Sequence, residues 1–231
     1  MRIALRLLFI LVAFAPAERM LACDTVSCVA CNEVSKPETV RIPDAISRQL
    51  PEFVSAQRLI STHLSERGET VVLYNTAADE LDPLPMIAIV VDNKVVRTFE
   101  ARSDGGFTRL LADCEFPATT KSSAFALAYR AGGDGAATTF FILGYRDGKY
   151  GVWNTITARA SRMIFNGIIG QFQLWAGEGS RECVWCPQRY RTSSYRFTGT
   201  RFEKVSSTRI AGLRDPGEIA DTPLVSPSRT P

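Results

Sequence analysis

The chain has 231 residues, 45% of them hydrophobic and 22% charged, with a formal net charge of +3. That apolar content is enough for a packed core and argues against a disordered or low-complexity protein. The near-neutral balance offers no electrostatic case for nucleic acid, which calls for a strongly basic domain or patch.

The chain opens on "MRIALRLLFILVAFAPAERMLAC", with Arg2 and Arg6 ahead of the apolar run Leu7 to Ala15 and small residues at Ala15, Ala17 and Ala22. A basic start, a short apolar stretch and an A-x-A-like exit predict a secretory signal peptide over residues 1–22. The run falls short of the roughly 20 apolar residues a bilayer demands, so no transmembrane span is expected once the signal is removed. Cleavage after Ala17 competes with cleavage after Ala22, where Met20-Leu21-Ala22-Cys23 resembles the lipobox of bacterial lipoproteins and would acylate Cys23. The charges at Glu18 and Arg19 favour the ordinary cut after Ala17 and a periplasmic or extracellular protein over a lipid-anchored one. Residues 1–22 hold three arginines and one glutamate, so the mature chain carries +1.

Cysteines come next along the chain and return near its end. Cys23, Cys28, Cys31, Cys114, Cys183 and Cys186 make an even number, which in an oxidising compartment predicts disulfides. Sequence alone does not choose their pairing. Two C-x-x-C pairs suggest zinc, yet about 150 residues separate them, far more than structural zinc ribbons place between ligand pairs. A redox role needs a helix N-terminus to stabilise a thiolate, whereas Cys183 follows the glycine-rich "AGEGSRE". Structural bridging is therefore expected, with no metal and no cofactor.

After the cysteine-containing segment 23–42, "RIPDAISRQLPEFVSAQRLISTHL" is the best helical stretch. Pro43 suits a first turn, Pro51 interrupts, and Phe53, Ala56, Ile60 and Leu64 recur at helical spacing. "FVSAQRLI" also reads as a strand. From Glu69 the texture becomes short apolar runs separated by turns, about ten strands at spacings near 8–12 residues. Asp92-Asn93 and Asp147-Gly148 mark hairpins. The fold class that follows is mainly β, an antiparallel β-sandwich or barrel-like domain over 43–214 with a short N-terminal helical segment. The tail 215–231, rich in proline, is expected to be disordered.

Parts for chemistry are few. His63, the single histidine, sits beside charges at a possible helix end and reads as a surface or cap residue. Asp79, Glu80, Asp82, Asp104 and Asp113 lie in or near turns, where acids are common for conformational reasons, and nothing marks two as a catalytic pair. "AGGDGA" matches no phosphate loop, and Asp134 alone makes no calcium loop. Arg189, Arg191, Arg196 and Arg201 interleave with aromatics at strand spacing, as a solvated sheet face would. Tyr145, Tyr150, Trp153, Trp175, Trp185, Tyr190 and Tyr195 either fill a β core or form a binding face, and the core is the commoner use.

No catalytic residues are assigned. The function expected is an exported, non-enzymatic β-domain that binds a protein or a cell-envelope component. The alternative is a hydrolase acting on an envelope polymer through turn carboxylates. Oligomeric state is left open.

Overall fold

A computed structural model describes residues 29–34, 39–76, 84–101, 108–131, 137–159, 161–179, 187–210 and 223–225. Within them the chain is almost entirely antiparallel β, arranged in three sheets. Sheet one has β1 (Ala30–Glu33), β6 (Thr108–Pro117), β7 (Ser123–Ala131), β8 (Ala137–Arg146) and β9 (Lys149–Arg159) in that spatial order. Sheet two runs β2 (Phe53–Thr62), β3 (Glu69–Thr76), β4 (Leu84–Val91), β5 (Lys94–Glu100). Sheet three is ordered β13 (Phe202–Ile210), β12 (Pro187–Phe197), β11 (Gln171–Gly179), β10 (Arg162–Ile164), β14 (Leu224–Val225).

Sheet one is the middle layer of the sandwich, and its sequence says why. In β7 every residue from Ser123 to Tyr129 is buried, the signature of a strand covered on both faces. The period of two divides them. Ala124, Ala126 and Ala128, with Phe140 and Ile142 of β8, join Met163, Phe165, Phe172, Leu174 and Phe202 in the core shared with sheet three. Phe125, Leu127 and Tyr129, with Phe141 and Leu143, join Leu64, Val71, Leu73, Ile87 and Ile89 in the core shared with sheet two. Alanines on one face and large side chains on the other set how far each neighbouring sheet stands off.

The outer face of sheet two has its own cover. Ile42, Ile46 and Leu50 pack on Ala56, Val72, Tyr74, Ala88 and Val90. The helical expectation for this region reduces to one turn, α1 (Asp44–Ser47), with Pro43 at its N-cap. Phe53 to Thr62 is strand, the second of the two readings that stretch allowed. Its pairing with β3 shifts register at Phe53/Ser55 and again at Ala56/Arg58. Each bulge inserts an extra residue and breaks strict alternation, so Phe53, Ala56 and Leu59 reach the same core three apart, whereas Ile60 and Leu64 of the helical-looking stripe face the core shared with sheet one.

Both hairpins read from the sequence form. Val91 pairs with Lys94 across Asp92 and Asn93, both at positive φ. Arg146 pairs with Lys149 across Asp147 (φ 50°) and Gly148 (φ 78°). Two left-handed residues give the turn whose twist matches the strands. Within the stretch expected to be disordered, Leu224 and Val225 pair in parallel with Met163 and Ile164, and Leu224 enters the core. Tertiary burial of Leu224 outweighs the poor local propensity of a proline-rich tail. No helix among the described residues is long and apolar enough to cross a membrane.

Candidate functional site

Of the six cysteines expected to form bridges, Cys31 and Cys114 are disulfide-bonded to each other. They are register partners on β1 and β6, so the bridge ties the short N-terminal strand to the middle sheet. Cys23, Cys28, Cys183 and Cys186 lie outside the described residues, as do the signal segment 1–22, Asp79, Glu80, Asp82, Asp104, Asp134 and Trp185.

Of the turn acids named from sequence, Asp113 is described, and it lies mid-strand on the face opposite Cys114. It is 1% exposed and bridges layers: Asn32 Nδ2 donates to Oδ1 at 2.8 Å, and Arg58 Nε of β2 lies 3.1 Å from Oδ2. The latter is an ion pair without hydrogen-bond geometry. Burial raises the Asp113 pKa above the ordinary carboxylate range, opposed by the Asn32 hydrogen bond and the Arg58 charge. The group holds sheet two against sheet one.

A second acidic locus gathers around the β2–β3 turn. Glu69, 3% exposed, accepts Leu64 N at 2.8 Å through Oε2 and Ser65 N at 2.9 Å through Oε1. Its Oε1 also accepts the Ser65 hydroxyl and Tyr150 OH, the latter at 2.8 Å from β9. Beside it, Glu115 accepts His63 N at 3.0 Å, and His63 Nδ1 stands 3.9 Å from its other oxygen. Burial lifts the Glu115 pKa; His63 and Ser123 work against that, and the Glu69 charge adds to it. Tyr145 and Tyr150 close the end of the layer with ring centroids 4.7 Å apart.

Chemically, Glu69 is a turn anchor. Three donors meet Oε1 and one meets Oε2, which fixes the carboxylate against the turn and β9. His63 is exposed, in the turn that follows β2 rather than at a helix end. Neither glutamate was singled out by looking for acids in turns. The available signal was "ADCEF", where Asp113 and Glu115 fall two apart on one face of an apolar strand. No group of three His, Cys, Asp or Glu residues among those described is placed to hold a metal ion.

The aromatics turn inward. Trp153 stacks on Phe197 at 4.6 Å and Tyr195 on Phe172 at 4.8 Å, while Tyr190 is 1% exposed. Trp175 is partly buried. It alternates on β11 with the core residue Leu174 and joins no core cluster, unlike Trp153 and Tyr195.

Basic residues gather on one ribbon, with Arg189, Arg191 and Arg209 on the face of Tyr195 and Arg196 on the opposite face. β12, the turn and β13, residues 187–210, carry Arg189, Arg191, Arg196, Arg201, Lys204 and Arg209 against Glu203 alone, a net +5 in a chain whose total is +3. The remainder of the chain is therefore at −2. Seven consecutive residues of β13, Glu203 to Arg209, are exposed. Arg191 and Arg209 are direct register partners, an unfavourable juxtaposition of like charges. Glu178 of β11 relieves it by lying 2.6 Å from Arg191 Nε and 3.2 Å from Arg209 Nε. The hydrogen bond from Arg191, with the charges of both arginines, lowers the Glu178 pKa. One carboxylate thus serves two guanidiniums. Between these charges Ser193 and Ser207 hydroxyls stand 3.2 Å apart.

No protein-family model, curated protein or solved structure matches the chain.

Proposed function

We propose that the protein is an exported, non-enzymatic β-domain that binds a protein or cell-envelope component through the β12–β13 ribbon. The observation that carries this reading is the charge segregation: +5 within residues 187–210 of a chain at +3 overall. A local field of that kind steers and holds an acidic partner without giving the whole protein a high net charge. Export is supported by the signal-like start of the sequence and by the Cys31–Cys114 bridge, since disulfides persist in oxidising compartments. The test is saturable binding of the labelled mature chain to the envelope fraction of the producing cell. Binding that falls at least tenfold in a Lys204→Glu, Arg196→Glu variant supports the reading; undiminished binding, or none by the native chain, rejects it.

The proximity of Glu69 and Glu115 favours a second reading, hydrolysis of an envelope polymer with Glu115 as the acid. Its raised pKa fits a proton donor. Against it, Glu69 is buried and held by Leu64 N, Ser65 and Tyr150, which suits a structural anchor better than a second catalytic carboxylate. Turnover of envelope polymer abolished by Glu115→Gln, with the fold intact, would establish this alternative.

A further inference from the structure

The three sheets leave several edges, and they are not equivalent. At β2 the edge is partly taken by Val40, which bridges to Ala56. On β5 the Gln49 side chain accepts Val95 N at 3.0 Å and donates to Asn93 O at 2.9 Å, imitating a strand's hydrogen bonds. The β9 edge reaches across to the start of β13: Asn154 donates to Phe202 O at 2.9 Å and accepts Phe202 N at 2.7 Å. Beyond Phe202 that contact ends. Among the described residues no strand lies on the far side of β13.

We propose that the open edge of β13, Glu203 to Ile210, receives an extended acidic peptide segment of a partner protein as an added sixth strand of sheet three. The inference rests on the binding reading above and deepens it by naming the partner's chemistry. Backbone pairing supplies affinity in strand addition, and side chains on alternate positions supply selectivity. The side chains here ask for acid. Glu178 already divides one negative charge between Arg191 and Arg209. A carboxylate on the added strand opposite Arg209 would flank the two guanidiniums with acid on both sides, minus–plus–plus–minus, across four strands. Lys204, exposed at the other end of the same edge, takes a second acid.

Natural edges are guarded against self-association by cations and bulges, and β13 has both: Lys204 and a register shift against Ser194/Tyr195. Those guards disfavour a second copy of this chain, because two ribbons at +5 repel. The charge does not disfavour an acidic strand, and beyond the bulge the edge from Ser206 to Ile210 keeps regular register. Hence one device excludes self-pairing and selects the partner.

The experiment uses the full mature chain and a capped ten-residue peptide alternating Asp and Thr. Binding is read by fluorescence anisotropy at low salt. Micromolar affinity is expected, reduced at least tenfold by Lys204→Glu with Arg209→Glu and, more moderately, by the neutral Lys204→Gln, Arg209→Gln pair. Circular dichroism confirms that both variants fold. Peptides N-methylated at every second residue, in either phase, test the backbone: one phase must lose at least tenfold. If both methylated peptides bind as the parent does, or if polyphosphate competes without regard to the peptide backbone, the site is a plain anion surface and strand addition is wrong. Concentration-dependent dimers abolished by the charge reversal would identify a second copy as the occupant and equally overturn it. Should the peptide fail while the mature chain still binds the envelope fraction, only strand addition falls; failure of both removes the binding reading too.

Discussion

The indole of Trp153 occupies the space that a side chain at Gly144 would fill: a Cβ built there would collide with three of its ring atoms. Trp153 is the bulged residue opposite Ile142 and Leu143, which is how a β9 side chain comes to lie back over β8. The ring then stacks on Phe197 and anchors sheet three to the middle layer. Gly144→Ala is expected to destabilise by about 1–3 kcal/mol, the cost of overpacking a filled core. Chemical denaturation with a fluorescence readout checks this, because the indole itself must move. An unchanged midpoint would contradict the packing described.

Cys31 and Cys114 join segments 83 residues apart. Constraining so long a loop in the unfolded chain stabilises by about 2–4 kcal/mol. Cys31→Ser with Cys114→Ser should fold, since β6 is held independently by β7, but unfold at a markedly lower denaturant concentration. Alkylation and mass mapping of the native protein should find this pair oxidised.

Much of the fold was legible in the sequence, and the exceptions have definite causes. Asp92-Asn93 and Asp147-Gly148 announce hairpins because few residues adopt left-handed backbone, a purely local requirement. The run "SAFALAY" reads as one strand among the short apolar runs, but that sheets cover both its faces is a long-range fact that no window contains. Phe53, Ala56, Ile60 and Leu64 recur at helical spacing, yet the fold sends the first two to the outer core of sheet two and the last two to the core shared with sheet one. As for the site, Glu69 and Glu115 are separated by 45 intervening residues and meet only through packing. The basic ribbon was visible as Arg189, Arg191, Arg196 and Arg201; its meaning as an edge needed the sheet order.

Tyr150 ties β9 to the β2–β3 turn through Glu69. Tyr150→Phe removes one donor to a carboxylate that keeps three others, so a loss of about 1–2 kcal/mol is expected. Glu69→Ala should cost more, because Leu64 N and Ser65 N both lose their acceptor. Thermal melts of the two variants should keep that order.

Asp113 and Glu115 both carry pKa values raised in the folded state by burial. A carboxyl raised on folding binds more protons in the native than in the unfolded chain, so its stabilising contribution is complete below the unfolded pKa. That contribution is lost as pH rises through the folded value. Stability should therefore fall with rising pH across the mildly acidic range just above ordinary carboxylate pKa values. Asp113→Asn should flatten this part of the profile, measured by urea unfolding at several pH values. A slope unchanged in the variant would show that Asp113 does not titrate there.

Amide hydrogen exchange on the mature chain, with and without its bound partner or the acidic peptide, tests the central claim most directly. Binding through the ribbon predicts that new protection concentrates in β13, from Glu203 to Ile210, with the middle sheet already protected and unchanged. Protection centred instead on the β2–β3 turn around His63 and Glu115, with β13 exchanging as before, would contradict the account.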